Sequence, residues 1–143
     1  VVERLRSTTT HLIHGDYSPK NILVRRGGSD PDVTVLDWEV ACAGDPVFDL
    51  AFLLTHLVAK SVHLPARTEE LRAACALFAG TYGPVDDDWL ARVLGATLLA
   101  RVDGLSPLPY LDEQRRAQVR TLGTALVREG GPLPWPSVLP PSV

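Results

Sequence analysis

Two kinds of hydrophobic spacing divide this chain. Up to about residue 44 the apolar positions come in short clusters: Leu12-Ile13, Ile22-Leu23-Val24 and Val33-Thr34-Val35-Leu36. The second and third are β-branched and apolar and read as strands. The polar segment Arg25–Asp32 between them reads as the turn of a hairpin. Beyond Asp45 the period changes to that of a helix. Val47, Leu50, Ala51, Leu54, Leu57 and Val58 form one stripe. Asp45-Pro46 supplies a capping acid followed by Pro at the first helical position. A second helix follows Thr68-Glu69-Glu70, carries Leu71, Ala74, Cys75, Phe78 and Tyr82 on one face, and stops at Gly83-Pro84. Asp86-Asp87-Asp88 opens a third. Leu90, Val93, Leu94, Leu98 and Leu99 surround it almost completely, so it is expected to be central and buried. Gly104 to Pro109 breaks it. A fourth runs from about Asp112 to Arg128 and ends at Gly130-Gly131. Residues 1–10 read as a connector or a helix end, and Leu12-Ile13 as the lead into a loop. The Pro-rich tail from Pro132 to Val143 is expected to be extended or disordered. The fold class is therefore α+β, mostly α.

Composition narrows the picture. At 143 residues the chain has room for one domain with a real core. A net charge of -3, with Arg25-Arg26 and Arg115-Arg116 as its only basic pairs, leaves no footprint for a nucleic acid polymer. No apolar run is long enough to span a bilayer, and Val1-Val2-Glu3-Arg4 has no signal-peptide character, so the expected location is cytoplasmic, with no membrane partner. Cys42 and Cys75 fit neither a metal nor a redox spacing and are expected to be reduced, buried thiols. There is no Met at all, at position 1 or elsewhere. That marks the chain as a piece of a longer protein or a processed one.

The chemistry lies in His14-Gly15-Asp16-Tyr17-Ser18-Pro19-Lys20-Asn21 and in Leu36-Asp37-Trp38-Glu39. Pro19 keeps the first segment on a loop. An acid, an amide five positions on, and a second acid at the end of an apolar strand are the parts of a phosphoryl-transfer site. Asp16 can accept the proton of an attacking hydroxyl. Asn21 and Asp37 can hold Mg²⁺ against the phosphates of ATP, since Mg²⁺ prefers oxygen ligands and keeps several waters. The hairpin brings these two to the same end. Asp37, beside Trp38, is costly to bury unless paired. His14 is expected to anchor the loop through its ring. Lys20 either meets a phosphate or faces solvent. Asp49, in the first turn of the first long helix, either answers the helix dipole or accepts backbone donors of the Asp16 loop. Glu39 binds metal through water or orients its neighbours. Arg101 forms a structural ion pair or part of a substrate wall. Trp89 and Tyr110 are expected in the core, and Trp135 could contact a ligand.

These blocks, with Gly44-Asp45-Pro46-Val47-Phe48-Asp49-Leu50 after them, resemble the aminoglycoside phosphotransferase and choline kinase family, of protein-kinase-like fold. The resemblance spans roughly residues 10–130, and its specific part is 14–50. It implies Asp16 as the catalytic-loop aspartate and Asn21 and Asp37 as metal ligands. It implies Asp49 as the brace of that loop, and Mg²⁺ with ATP as phosphoryl donor. It divides the chain into a kinase-like large lobe, 1–130, and a tail, 131–143. Within the lobe it sets a catalytic loop 14–21, a metal-binding segment 35–39 and a helical acceptor region 45–130. The family's small lobe has a Gly-rich strand-turn, a Lys that grips the phosphates and a Glu that orients it. None has a counterpart before His14. The implied object is thus the large lobe alone, inactive without the N-terminal lobe expected in the full-length protein.

Two other readings compete. His14-x-Asp16 with His56 or His63 imitates the two-His-one-carboxylate triad of an iron oxygenase, but leaves Asn21 and Asp37 idle. A truncated kinase lobe serving only as a binding module is the stronger rival. Its weakness is that Asp16, Asn21 and Asp37 are all intact. The acceptor is a small-molecule hydroxyl compound of unread identity. A cationic one would want an acidic wall, for which Asp86-Asp87-Asp88, Asp103, Asp112 and Glu113 are available, although helix capping accounts for several of them.

Overall fold

Three of the helices begin at an acid. Asp86 accepts from the Trp89 amide at 3.1 Å, and Asp112 from the Arg115 amide at 2.8 Å. Asp45 accepts from the Val47 amide at 3.0 Å, with Pro46 between them. Each carboxylate satisfies a donor that the first helical turn leaves unpaired. Residues 1–25, 27 and 31–133 are described by a computed structural model. The expected tail from residue 134 onward, Trp135 within it, and the centre of the hairpin turn lie outside the described residues. In chain order come α1 (Val2–Ser7), β1 (His11–Ile13), β2 (Ile22–Arg25), β3 (Asp32–Val35) and β4 (Cys42–Gly44). Four longer helices follow: α2 (Val47–His63), α3 (Thr68–Tyr82), α4 (Asp87–Asp103) and α5 (Glu113–Glu129). The architecture is α+β and mostly α, as the periodicity indicates.

The core lies among the helices. Leu50, Leu54 and Val58 of α2 meet Leu90, Leu94 and Leu98 of α4, with Val119 and Leu126 of α5 and Cys75 of α3 closing the cluster. Each buried leucine contributes about 1.5–3 kcal/mol of transfer free energy. α4 packs against both α2 and α5, which explains why its apolar residues run all round. A Cβ at Gly95 would lie 2.6 Å from the Gly123 carbonyl oxygen, so the α4–α5 crossing demands that small residue. The buried Thr55 and Thr97 hydroxyls, 2.6 Å apart, link α2 to α4.

The strands form two antiparallel ribbons. In the hairpin, Ile22 pairs with Val35 and Arg25 with Asp32. The Leu36 amide also donates to the Asn21 carbonyl at 2.8 Å, which places Asn21 and Asp37 at one end. The second ribbon pairs β1 with β4, Ile13 opposite Cys42. The sequence shows no sign of it, because each strand is three residues long and its partner is far along the chain. It also corrects the expectation for Cys42, which is exposed on a narrow ribbon open to solvent. Cys75 is buried as expected, and burial pushes its thiol up to about 12. No helix among the described residues is long and apolar enough to cross a membrane.

Candidate active site

The 14–21 loop is tied down from both sides. Asp49, in the first turn of α2, accepts the His14 amide at 2.6 Å and the Gly15 amide at 3.0 Å. Gly15 adopts φ +80°, and a Cβ there would sit 2.9 Å from the Val40 carbonyl oxygen, so both backbone shape and space call for glycine. His14 is 2% exposed. Its Nε2 lies 2.7 Å from the Leu36 carbonyl, and its Nδ1 receives the Asp16 amide at 3.2 Å. A carbonyl only accepts, so Nε2 carries the proton and Nδ1 is the acceptor. One imidazole thereby joins the Asp16 loop to the segment that leads into Asp37. With both nitrogens engaged, and no His/Cys/Asp/Glu cluster of three fit for a metal among the described residues, the iron-triad reading fails.

Asp16 stands at the centre of a cleft of about 350 Å³ lined also by Gly15, Lys20, Asp37, Glu39, Val40, Arg101 and Ser106. The Lys20 ammonium is 2.9 Å from its Oδ2, and Arg101 Nη2 is 3.9 Å from its Oδ1. The Asn21 amide donates to the Asp16 carbonyl at 2.9 Å and to Oδ2 at 3.1 Å. Burial would raise the Asp16 carboxyl, but the hydrogen bond and charge of Lys20, the Asn21 amide and Arg101 together hold it below its ordinary value. It is therefore an anion at neutral pH, ready to accept a hydrogen bond from a hydroxyl. Lys20 is 66% exposed along its side chain, so this ion pair is weak and the ammonium is free to exchange Asp16 for a phosphate.

Asn21 is buried and gives its NH₂ group to Asp16, which leaves its amide oxygen as the atom for a metal. Asp37 is exposed, which overturns the expectation of a costly buried acid. What marks it is its backbone, with φ 65°. Aspartate tolerates this left-handed region better than most residues, but at some cost in strain. The turn places its carboxylate on the cleft beside Glu39. A carboxylate and an amide oxygen fit a Mg²⁺ that takes its remaining ligands from phosphates and water. The Trp38 ring lies tilted against His14, with ring centroids 4.7 Å apart.

Comparison with known proteins bears on residues 2–87, which match the model of a phosphotransferase enzyme family. The chain belongs to that family. A search of curated proteins finds no significant match. The family match takes in Asp16, Asn21, Asp37 and Asp49 and ends at Asp87, the first residue of α4, so what α4 brings to the cleft is read from the structure itself. Its main contribution is Arg101. The guanidinium lies 4.8 Å over the Phe52 ring and donates to the Ser106 carbonyl at 2.9 Å. Arg101 forms an ion pair with Asp16 and lines the same cleft. Its neighbourhood to Asp16 arises from the packing of α2 on α4, and nothing local in the sequence announces it.

His56 is the second group that α2 contributes near the cleft, its ring edge-on to Phe52. Burial drives its pKa down to about 4, reinforced by Arg101, opposed by Asp16, and reinforced by Lys20 and Lys60. The folded chain keeps the ring neutral where the unfolded chain protonates it. Between the ordinary value of 6.5 and about 4 the unfolded state binds the additional proton, so stability falls as pH falls through that window. The thermal midpoint should drop across it, and His56→Gln should flatten that part of the profile. The Asp16 contribution disappears only at lower pH, as the solution passes below its depressed pKa. A wild-type midpoint unchanged between those two pH values would contradict the neutral assignment.

Proposed function

We propose that this chain carries the acceptor side and the metal-binding residues of an ATP- and Mg²⁺-dependent phosphotransferase acting on a hydroxyl of a small molecule. The observation that carries this reading is the joining of Asp16, Asn21 and Asp37 by one loop, one hairpin end and one buried histidine. The hydroxyl oxygen would attack the γ-phosphorus while its proton passes to Asp16. The bond to the β–γ bridging oxygen breaks, and that oxygen leaves with the nucleoside diphosphate. Mg²⁺, held through Asn21 and Asp37, would offset the charge on the phosphates. Lys20 would bind a phosphate oxygen. The protein's own work is positioning and electrostatics, since this reaction asks for little else.

Leu23, Val24 and Val33 of the hairpin are each more than half exposed, as is Leu12 on β1. Apolar side chains so placed suit an adenine ring and a second lobe lying over it. Turnover accordingly calls for a lobe that supplies the other half of the nucleotide cleft. Titrating the chain with Mg·ATP in a calorimeter tests the metal half-site. Asp37→Ala is expected to weaken binding about tenfold or more, the order of a lost charged ligand. Equal affinity in wild type and variant would remove Asp37 from the site.

A further inference from the structure

Of the acids first available for a cationic acceptor wall, all but Asp87 are engaged elsewhere. Asp86 caps α4 and lies 3.5 Å from Arg4. Asp88 bonds Arg92, Asp103 bonds Arg120, and Asp112 caps α5 and bonds Arg115. Glu113 lies 3.7 Å from Arg120. What extends from Asp16 along the helices is of the opposite character. The half-open face of α2 presents Phe52, His56, Lys60 and His63, spaced at helical intervals. Arg101 of α4 closes over Phe52, and Lys60 lies 3.8 Å over the ring of Tyr110.

This strip is desolvated without being satisfied. Arg101 Nε, His56 Nε2, His63 Nδ1 and the Tyr110 hydroxyl are all buried and lack a hydrogen-bond partner. Leaving such atoms unpaired costs free energy that folding alone does not recover, and they concentrate where a ligand completes them. Arg101, Lys20 and Lys60 act on His56 against Asp16, and the strip itself carries Arg101 and Lys60, while Asp37 and Glu39 lie on the cleft beyond Asp16. The one acid near its far end, Asp112, is held by Arg115. Arg101 spends Nη1 on Ser106. Its Nε is without a partner and Nη2 lies 3.9 Å from Asp16, so a planar or tetrahedral anion that takes this edge stands beside the proposed base.

We propose that the acceptor is an anionic hydroxyl compound, bearing a carboxylate or a phosphate, whose charged group docks on Arg101 and Lys60 while its hydroxyl meets Asp16. This rests on the phosphotransferase reading of the site. It excludes polycationic acceptors, which Arg101 and Lys60 would repel.

Calorimetry on the 143-residue chain without nucleotide tests it, using D-glycerate, glycerol 3-phosphate, glycerol and choline as probes. At least one anion should bind about tenfold or more tightly than glycerol and choline. Which of the two binds tells carboxylate from phosphate. Arg101→Gln should weaken that binding about tenfold or more, Arg101→Lys less, and Lys60→Gln should also weaken it, each in a chain whose circular dichroism is native. Choline binding as tightly as the anions, or no anion binding by the folded chain, would overturn the proposal. So would anion binding that requires Mg²⁺ or is lost in Asp37→Ala, which would place the anion among the donor phosphates. Because the acceptor probes need no nucleotide and the Mg·ATP titration needs no acceptor, failure of either reading shows separately.

Discussion

Replacing Asp16 with alanine is expected to lower phosphoryl transfer by about 10²- to 10⁴-fold, the usual worth of a positioned acid or base, while nucleotide binding stays largely intact. The experiment belongs in the protein with its nucleotide cleft whole. The geometry explains the split. Asp16 is held ionised by Lys20, the Asn21 amide and Arg101, so it stands as a fixed acceptor for the hydroxyl proton. Of the proposed metal ligands, Asp37 sits on another segment, and Asn21 closes the same loop as Asp16. Asn21 loses one hydrogen bond from its side chain in the variant and keeps the one to the Asp16 carbonyl. Turnover close to wild type would sink the assignment of Asp16 as base. An equal loss of Mg·ATP affinity would mean that its role is to hold Asn21.

The second large effect is structural. Asp49→Ala leaves the His14 and Gly15 amides without their acceptor. Each such bond to a charged partner is worth about 1.5–3 kcal/mol, and losses at adjacent donors are not additive, so a destabilisation of about 2–4 kcal/mol is expected. Denaturant unfolding measures it, and hydrogen exchange at those two amides should quicken beyond the global change. In the assembled enzyme the loosened loop should also cost turnover, since a shift of about 1 Å in a reacting group can cost about 10²-fold. Wild-type stability with unchanged exchange at residues 14 and 15 would show that Asp49 merely answers the helix dipole.

Local signals wrote most of the fold into the sequence. Asp86 and Asp112 precede their helices by one residue and cap them, and Asp45-Pro46 does the same for α2 with the cap displaced by one from the assigned start. The hairpin followed from two β-branched clusters and a polar turn, and its register came from the structure. His14 was legible as an anchor, and of the two roles open for Asp49 the loop contact is the one its distances display. The rest depended on residues that meet only after folding. Ile13 and Cys42 pair across the loop and hairpin between them, Arg101 reaches Asp16 because α4 lies on α2, and the acids of α4 and α5 find arginines on neighbouring turns. Asp37 misled for a different reason. An acid after an apolar strand suggested burial, whereas the chain takes a left-handed turn there and carries it into the open.

That left-handed turn follows directly on Leu36, whose carbonyl the His14 ring grips. The proposed base and the proposed metal-side carboxylate are therefore joined through one imidazole. A change that tilts that ring is felt at both ends, so a substitution at His14 should disturb proton acceptance and metal binding together.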